Sequence, residues 1–559
     1  MTRPDRRTLA IALPLVALLL WLVAYPNATI VAGSFEGGGV HWRAFLASPA
    51  DREALATSLW ISVASVVASV AIGLPLALLL ARADFPGRRL VSAVATLPAA
   101  LPPLVGVIAF LFLYGESGVV TRVVQRALGL ADSPWRFSGG WAIVFVHAYT
   151  MYAYVFLFVS AALERLDPSL DEAAKGLGHG PVRRFVRVTL PLLVPALAGA
   201  SLLVFMSSLG SFSAPYVFGG GLRVLSTQIV VSRTSGAPGI ALVETTVLAI
   251  AAFAGLALLR WLEGRRAYTV TSKGRPARVP LRSRGARIAA AVASALLVTV
   301  LVLPHLMIVL AAFAVDGAWT VQVLPPEYTL DNFRALATDR TLWKPVTTTV
   351  VMALLATAAN VAVCFLVGWL TVLRRFRGVR LLELLAVIPW AIPPTAIAIG
   401  LATTFDATDP LRAKVLLVGT FWILPLAYFI RGLPLVTSAV QSSLRQMEPG
   451  LEDAARGLGA GTWLVLRRVV LPAARPGLVA GAILAGITAL GEFVATVLLF
   501  TPSSRTISVE VLQQLRNLAF GTASAYSVLL IALTFGLTLA GRWLEGRARA
   551  GELQVAAGG

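Results

Sequence analysis

The segment 167–180 reads D-P-S-L-D-E-A-A-K-G-L-G-H-G, and the segment 448–461 reads E-P-G-L-E-D-A-A-R-G-L-G-A-G. Val-Thr-Leu-Pro follows the first segment at 188–191, and Val-Val-Leu-Pro follows the second at 469–472, with the same spacing. We call these segments the first loop and the second loop. A gapless duplication of this length indicates an internal repeat. In a very apolar chain, two equivalent polar loops predict two docking points for a soluble partner.

Each loop has the sequence of a short capped helix. In the first loop, Asp167 is placed to cap the helix and Pro168 to occupy its first position. Ala173 and Ala174 would keep one helix face slim, and Gly178 would supply the positive-φ turn that ends the helix. A glutamate in place of the capping aspartate is expected to cap the second helix less well. The corresponding residues of the second loop are Glu448, Pro449, Ala454, Ala455 and Gly459.

The composition is that of a membrane protein. The 559 residues are 57% apolar and 13% charged, with a mean hydropathy of +0.81, whereas a soluble domain has about 25% charged residues. Apolar runs long enough to cross a bilayer, about 20 residues each, recur through the chain. We therefore predict an all-α polytopic membrane protein with about twelve transmembrane helices. The predicted spans are 9–31, 57–81, 90–113, 141–163, 188–210, 239–262, 288–314, 346–373, 381–404, 414–438, 477–500 and 523–544.

The positive charge indicates orientation in the membrane. The chain has a formal net charge of +20. If loops are assigned alternately from a cytoplasmic N-terminus, most Lys and Arg residues fall in cytoplasmic loops, as the positive-inside rule requires. Both termini and the basic linker 263–287 are therefore predicted to be cytoplasmic. The linker is expected at lipid headgroups rather than on nucleic acid. Cys364 is the only cysteine and falls inside a predicted span, so no disulfide framework or cysteine metal cluster is expected.

The duplication extends over nearly the whole chain. Leu-Gly-Ser-Phe at 209–212 matches Leu-Gly-Glu-Phe at 490–493, and Phe-Pro-Gly-Arg-Arg at 85–89 matches Phe-Arg-Gly-Val-Arg at 376–380. Six spans in each repeat would give both repeats the same orientation. Parallel repeats related by an axis along the membrane normal would enclose a pathway between them. The predicted divisions are a first repeat at 1–262, the linker at 263–287 and a second repeat at 288–559.

Prolines recur at matched positions in the third span of each repeat. A proline removes an amide donor and breaks the helical ladder, and in lipid the freed carbonyls must face protein or water. These segments therefore either line the central pathway or are helix kinks with no role in transport. The matched prolines are Pro98, Pro102 and Pro103 in the first repeat and Pro389, Pro393 and Pro394 in the second.

Few carboxylates fall inside the predicted spans. Glu492 lies within the span 477–500 and corresponds to Ser211 of the first repeat. A carboxylate in the bilayer costs about 2–3 kcal/mol on insertion scales. Glu492 is therefore either a polar contact on the pathway or a structural acceptor for neighbouring hydroxyl groups. Glu244, near the outer end of its span, is expected to reach the membrane interface.

The sequence lacks the motifs of an ATPase or a membrane enzyme. No lysine follows a glycine, so the phosphate-binding Gly-Lys-Ser/Thr sequence is absent. No histidine belongs to His-Glu-x-x-His, and Gly-x-Ser-x-Gly does not occur. We predict a transport protein with no catalytic residue, metal site or cofactor of its own.

The two loops resemble those of a known family. Glu-Ala-Ala, three residues, Gly, nine residues and Ile-x-Leu-Pro is the signature loop of permease subunits of bacterial binding-protein-dependent ABC importers. The chain matches it from Glu172 and from Asp453, with Val188 and Val469 in place of isoleucine. The resemblance implies the type I ABC importer permease fold, with both repeats in one chain of the bacterial inner membrane.

The resemblance also implies partners. Two cytoplasmic ATPase subunits, which carry the ATP and Mg²⁺, would dock on the loops, and an extracytoplasmic substrate-binding protein would deliver the substrate. The implied docking residues are Glu172, Ala173, Ala174 and Gly178 in the first loop and Asp453, Ala454, Ala455 and Gly459 in the second.

The substrate is less closely defined. Among fused permeases the chain looks most like the ferric-iron group, through the segments 209–219 and 492–502. Permeases for polyamines, thiamine or 2-aminoethylphosphonate have similar architecture and are alternatives. An ion-driven secondary transporter is the alternative from another class. It would need ion-coupling groups inside the membrane, for which only Glu492 and Glu244 qualify.

Overall fold

The computed structural model of the chain is almost entirely helical. It describes residues 6–264, 279–280, 283–319, 322–374, 376–406, 415–448 and 450–557. Most of the predicted linker and Pro449 lie outside these residues. Within them, the named strands are β1 (Ala83–Asp84) and β2 (Val279–Pro280), which pair in parallel.

The first sequence repeat supplies fifteen helices. The longest, α4, starts where the Ser48 side chain accepts a hydrogen bond from the Asp51 amide at 3.3 Å and where Pro49 takes the first helical position. The helices are α1 (Arg6–Leu19), α2 (Tyr25–Ser34), α3 (Val40–Ala47), α4 (Pro49–Arg82), α5 (Arg88–Val94), α6 (Leu97–Ala100), α7 (Pro103–Tyr114), α8 (Val119–Ala127), α9 (Gly140–Leu163), α10 (Pro168–Gly176), α11 (Pro181–Arg184), α12 (Leu190–Leu209), α13 (Ser213–Phe218), α14 (Leu225–Thr234) and α15 (Pro238–Gly264).

The second repeat supplies twelve helices among the described residues. Its longest transmembrane helix, α18, is capped by Asp339, whose carboxylate accepts from the Thr341 amide at 2.7 Å. The helices are α16 (Arg284–Ala312), α17 (Asp331–Thr338), α18 (Arg340–Leu373), α19 (Val379–Val387), α20 (Pro394–Thr404), α21 (Ile423–Arg445), α22 (Leu451–Gly457), α23 (Thr462–Val465), α24 (Leu471–Leu490), α25 (Val494–Leu499), α26 (Ile507–Arg516) and α27 (Phe520–Ala557). Single π-helical turns lie at Leu20–Ala24, Phe185–Thr189 and Leu466–Val470, and a 3₁₀ turn lies at Ile388–Trp390.

The number of spans agrees with the prediction. Among the described residues, 11 helices are long and apolar enough to cross a membrane, or 12 if one bent pair counts as a single span. That pair is Val379–Trp390 with Pro394–Thr404, and its two parts meet at 111°. The bend falls at the matched prolines, because Pro393 is in an extended conformation that cannot continue a helix. The predicted all-α polytopic fold is confirmed.

Three predicted spans are wrong in position. The span predicted at 90–113 is divided among α5, α6 and α7, and the apolar segment long enough to cross a membrane is Pro103–Ala127. The span predicted at 477–500 begins earlier and ends at Leu490, because the chain leaves the helix at Gly491 and starts α25 at Val494. The span predicted at 414–438 becomes α21, which begins at Ile423 after a turn at Gly419 with φ +83°. Glycine at these turns overrides the apolar composition on which the predicted bounds depended.

The internal repeat is reproduced in the lengths of the helices. Helices α4 and α18 each have 34 residues, and α12 and α24 each have 20. After the break that follows α12 or α24, each repeat continues with a helix of 6 residues and then one of 10 residues. The same element order and lengths at the duplicated sequences confirm two copies of one fold.

The packing units differ from the sequence repeats. One compact unit, which we call the first-repeat unit, contains 44–236 and 247–329. The other, the second-repeat unit, contains 1–43, 237–246 and 330–559. The opening helix of each sequence repeat thus packs in the unit built by the other repeat: α2 lies against α20, and α16 lies against α5 and α7. The predicted sequence divisions 1–262, 263–287 and 288–559 stay a prediction.

Small residues permit close helix packing in both units. In the first-repeat unit, a side chain at Gly73 of α4 would meet the Tyr152 carbonyl oxygen of α9 at 2.7 Å. In the second-repeat unit, a side chain at Gly481 of α24 would meet the Val436 backbone of α21 at 2.9 Å. Membrane helices approach closely through such residues, so these contacts fix the frame from which the loops project.

Candidate coupling loops and intramembrane polar pairs

The first loop folds as predicted from its sequence. Asp167 caps α10, because its carboxylate accepts a hydrogen bond from the Ser169 amide at 3.0 Å. The helix ends at a turn where Gly178 has φ +78°. The Gly178 amide donates to the Lys175 carbonyl at 2.9 Å, and the His179 amide donates to the Ala174 carbonyl at 3.1 Å. These two hydrogen bonds satisfy carbonyl groups in the last turn of α10, as is usual where a helix ends at a glycine with positive φ.

The second loop ends in the same way but starts differently. Gly459 has φ +85°, and its amide donates to the Arg456 carbonyl at 2.9 Å. The predicted cap by Glu448 is wrong: α22 begins at Leu451, and its N-cap residue is Gly450, with φ +94° and no side-chain cap. Glycine stands where the first loop has Ser169, so the chain turns there, and α22 has 7 residues where α10 has 9.

The alanine pairs are only partly presented to a partner. Ala173 and Ala454 are exposed, as are the acidic residues Glu172 and Asp453. Their neighbours turn inward, since Ala174 is buried and Ala455 is half-buried. The predicted slim face is therefore shared: one alanine of each pair lets the helix lie close to its own unit, and the other faces outward.

Exposed apolar side chains mark the outward face of each loop. In the first loop and the residues after it, Leu177 and Val182 are 78% and 75% exposed. In the second, Leu458 and Trp463 are 90% and 75% exposed. A cavity of about 270 Å³ lies beside Leu458, and Gly459 and Leu464 are among the residues that line it. Leu177 and Leu458 lie outside the candidate spans, where large exposed apolar side chains favour a protein interface, whereas Val182 and Trp463 lie at the start of the spans that follow.

Ion pairs that the sequence did not predict hold each loop against the neighbouring helices. In the first loop, Arg184 of α11 donates to Asp171 of α10 at 2.8 Å. In the second, Arg374, just after α18, donates to Glu452 of α22 at 2.6 Å, and the Trp369 indole N–H donates to the other carboxylate oxygen at 3.3 Å. The signal in the sequence was the acidic residue directly before Glu172 and before Asp453 in both copies.

Glu492 has two structural partners that the sequence did not reveal. It lies in the break after α24 rather than inside a helix. One carboxylate oxygen accepts from the Ala495 amide at 2.8 Å and so caps α25, and the other is paired with Arg431 of α21. The Glu492 side chain is 2% exposed and that of Arg431 is 25% exposed. Arg431 falls inside the predicted span 414–438, but no pattern in the sequence links it to Glu492.

The corresponding residue of the first repeat, Ser211, also has a polar partner on the facing helix. Its hydroxyl lies 2.9 Å from Nε2 of His147 in α9. The other ring nitrogen of His147 lies 3.0 Å from the Ser65 hydroxyl and 3.1 Å from the Ser208 hydroxyl. The position occupied by Ser211 and Glu492 thus has a polar contact with α9 in the first repeat and with α21 in the second. Hydroxyl and imidazole groups do this in one repeat, and a charge pair does it in the other.

The remaining predicted site residues fall into two groups. Pro102 and Pro103 stand at the break before α7, and Pro393 and Pro394 stand at the break before α20. Their role in lining a pathway stays a prediction. Glu244 was expected at the interface, and this is wrong, since it is completely buried within the second-repeat unit.

The two loops and the two intramembrane polar pairs are built from hydrogen bonds, ion pairs and exposed apolar side chains. Among the described residues, no group of three or more His, Cys, Asp or Glu side chains is placed to hold a metal ion. The fold and the two loops together define a multi-span membrane protein with two copies of one polar loop.

Comparison with known proteins identifies the family. The sequence profile described as "Binding-protein-dependent transport system inner membrane component" matches residues 73–268 and 364–550. The first loop lies in the first match and the second loop in the second. Because the two matches cover more than half of the chain, the chain belongs to this family, and it is a fused, two-repeat permease of the ABC importer class.

Individual relatives span most of the chain. It is 28% identical over 493 residues to the probable ABC transporter permease protein y4fN of Sinorhizobium fredii, an alignment covering 88% of this chain and 86% of that protein. It is 25% identical over 573 residues to the ferric transport system permease protein FbpB of Actinobacillus pleuropneumoniae, covering 98% and 80%. The molybdenum transport system permease protein ModB of Mycobacterium tuberculosis is 32% identical over 227 residues, covering 40% and 83%.

Proposed function

We propose that this chain forms the whole transmembrane pathway of an ABC importer and that two cytoplasmic ATPase subunits dock on the first and second loops. The observation that carries the proposal is the pair of loops. Each has the same glycine-terminated helix and exposes a leucine, Leu177 or Leu458, directly before that glycine. The ATPase subunits would bind ATP and Mg²⁺, and a binding protein on the outer side would deliver the substrate.

The ion pairs would transmit movement of a docked ATPase. In the first loop, the Asp171–Arg184 pair links α10 to α11, which continues through a π-helical turn into α12. In the second loop, the Glu452–Arg374 pair links α22 to the end of α18. A loop held by charge-assisted hydrogen bonds moves with its helix rather than bending on its own. ATP-driven closure of the two ATPases would therefore shift the long helices and alternate access to the pathway.

We infer ferric iron as the substrate. The support is the resemblance of segments 209–219 and 492–502 to the ferric-iron group and the alignment of 98% of the chain with a ferric transport permease. Recognition of Fe³⁺ by oxygen ligands would reside in the binding protein. Molybdate joins polyamines, thiamine and 2-aminoethylphosphonate as an alternative because of the molybdenum permease relative.

Deletion of the gene tests the substrate. Uptake of radiolabelled iron under iron limitation is measured in the deletion strain and in the strain complemented with the intact chain. We expect uptake to fall on deletion and to return on complementation. Unchanged iron uptake, with loss of molybdate, polyamine, thiamine or aminophosphonate uptake, would replace iron by that substrate.

The energy source tests the class of transporter. In membrane vesicles that contain the chain, its ATPases and the binding protein, uptake should require ATP inside the vesicle. It should also persist when an ionophore dissipates the ion gradients. Uptake that follows an ion gradient and ignores ATP would favour the secondary transporter.

A further inference from the structure

The second-repeat unit has a charged pocket at one end of α18. The pocket has a volume of about 270 Å³ and lies between the start of α18 and the segment that leads into α26. Prolines shape two of its walls. Its polar lining is Thr341, Lys344, Ser503, Arg505 and Glu510, and its apolar lining is Leu342, Pro345 and Pro502.

The residues that line the pocket carry two positive charges and one negative charge. The Glu510 carboxylate is buried and occupied: it accepts from the Gln514 amide at 2.7 Å and lies 3.6 Å from the Arg505 guanidinium. A separation of 3.6 Å is longer than a hydrogen bond, so Arg505 keeps N–H donors for another acceptor. Lys344 is exposed at the same pocket.

The carboxylate just before α18 is committed to capping that helix. Asp339 accepts from the Thr341 amide at 2.7 Å and from the Thr341 hydroxyl at 2.6 Å. Donation by the Thr341 side chain and amide lowers the pKa of the Asp339 carboxyl. The two cations, Lys344 and Arg505, therefore face a single carboxylate in the pocket itself.

The pocket lies at the end of the unit away from the second loop. Helix α18 has 34 residues, which span about 50 Å at 1.5 Å per residue. Its far end runs into Arg374, which holds Glu452 of the second loop. A distance of about 50 Å exceeds the hydrocarbon thickness of about 30 Å. If the second loop is cytoplasmic, the pocket opens on the outer face.

The first repeat matches only one of the three charges. Alignment of α14 with α26 and of α4 with α18 places Glu53, Arg223 and Gln228 at the positions of Lys344, Arg505 and Glu510. The lysine is thus replaced by a glutamate and the buried glutamate by a glutamine, so the charge pattern differs between the two repeats. A single chain that receives one binding protein needs such a difference between its repeats if the protein is to dock in one orientation.

We propose that this outer pocket receives an acidic side chain of the substrate-binding protein and so fixes the orientation of that protein on the chain. The proposal rests on the proposed function. The Arg505 guanidinium suits a carboxylate, which it can bind through two parallel hydrogen bonds. The volume lies just below the roughly 300–1,000 Å³ usual for small-molecule sites, which favours the tip of one side chain over a whole ligand.

The test uses the chain reconstituted in lipid nanodiscs with its ATPase subunits. ATP hydrolysis is measured against the concentration of the purified substrate-binding protein that supports transport by the unaltered complex. Lys344→Glu and Arg505→Glu should each raise the half-maximal concentration about tenfold, since a repulsive charge at a docking rim slows association. The rate at saturating binding protein should stay unchanged.

Arg340→Glu is the matched control. Arg340 is an exposed cation one residue from Thr341 but outside the pocket lining. Arg340→Glu changes the net charge of the outer face by the same amount. It should shift the half-maximal concentration less than about twofold, because salt screens the long-range effect of an exposed charge. Equal shifts in all three variants, or no shift in any, would overturn the pocket as a docking site.

A charge swap identifies the partner side chain. Each Asp and Glu on the surface of the binding protein is changed in turn to Lys, and each variant is paired with the Lys344→Glu chain. Lys344 is not bonded to Glu510, so this variant spares the internal ion pair. One swap should restore the original half-maximal concentration, and restoration by none would count against the pocket. Failure of the binding protein to stimulate the unaltered complex would overturn the proposed function itself.

Discussion

Gly178 and Gly459 are the residues on which the shape of the two loops depends most directly. Both have left-handed backbone angles, with φ of +78° and +85°. A side chain at either position would meet no atom within 4 Å. The cost of replacing them is therefore conformational, about 1–2 kcal/mol for a residue with a Cβ and more for a β-branched one.

Gly178→Val combined with Gly459→Val should reduce transport while insertion into the membrane is retained. The control is Gly180→Val with Gly461→Val, two open positions with ordinary φ of −65° and −70° that tolerate valine. Uptake and co-purification of the ATPases are measured for both pairs. Equal uptake by the two double variants would show that the turn conformation is irrelevant to coupling.

The Arg431–Glu492 pair permits a separation of structural and pathway roles. Glu492→Gln should keep the cap on α25 but leave Arg431 without its charge partner, and breaking a buried pair costs about 3–5 kcal/mol. Glu492→Gln with Arg431→Met removes both charges and should recover most of the thermal stability. If the predicted pathway role of Glu492 is right, uptake should stay low in this double variant, because both charges are lost.

Recovery of both uptake and thermal stability in the double variant would contradict this expectation. The pair would then be a structural brace, and Glu492 would have no part in the pathway. Melting temperature in detergent and uptake in vesicles are measured on the same preparations. The charge pair replaces the His147–Ser211 contact of the first repeat, so His147→Ala provides a comparison that alters no carboxylate.

At the level of the helices, the two loops are anchored unequally. The Glu452 and Arg374 side chains are 10% and 16% exposed, whereas those of Asp171 and Arg184 are 43% and 20% exposed. Exposed pairs contribute about 0–1 kcal/mol, and better-shielded hydrogen bonds to charged groups contribute about 1.5–3 kcal/mol. The second loop should therefore depend more on its anchor.

Glu452→Gln should accordingly impair ATP-driven uptake more than Asp171→Asn. It should also speed tryptic cleavage after Arg456 in the second loop more than Asp171→Asn speeds cleavage after Lys175 in the first. Cleavage rates in the purified chain report local loosening of each loop. A larger effect of Asp171→Asn on both measurements would contradict the ranking.

The elements that sequence predicted well are those determined by local chemistry. The capped helix at Asp167, the glycine turns and the count of spans follow from residue type and spacing alone. The break after α24 was not predicted because apolar residues continue past Gly491. An apolar composition alone does not reveal where a glycine turn ends the helix. The cap at Gly450 was missed because the rest of the repeat predicted a copy of Asp167.

Contacts between distant residues could not be predicted from one sequence. Glu492 was noticed as a carboxylate in a span, but Arg431 lies 61 residues earlier and no periodicity links them. The Glu452–Arg374 anchor likewise joins residues separated along the chain by three helices, α19, α20 and α21. The exchange of opening helices between the packing units depends on tertiary structure in the same way.

For the whole molecule, the positive-inside pattern predicts orientation. In a Cys364→Ala background, Arg275→Cys in the linker should escape a membrane-impermeant maleimide in spheroplasts, and Leu128→Cys just after α8 should react. Native Cys364 is buried and contributes little background even if retained. Labelling of position 275 together with protection of position 128 would invert the topology.

The central claim is that one chain carries two ATPase docking loops, and native mass spectrometry of the purified complex tests it directly. The unaltered chain should bind two ATPase subunits. Leu177→Asp or Leu458→Asp should leave one, and both together should leave none. Leu128→Asp, which changes an exposed leucine just after α8 and outside both loops, should leave two. An unaltered chain that binds no ATPase, or a double loop variant that still binds two, would contradict the account.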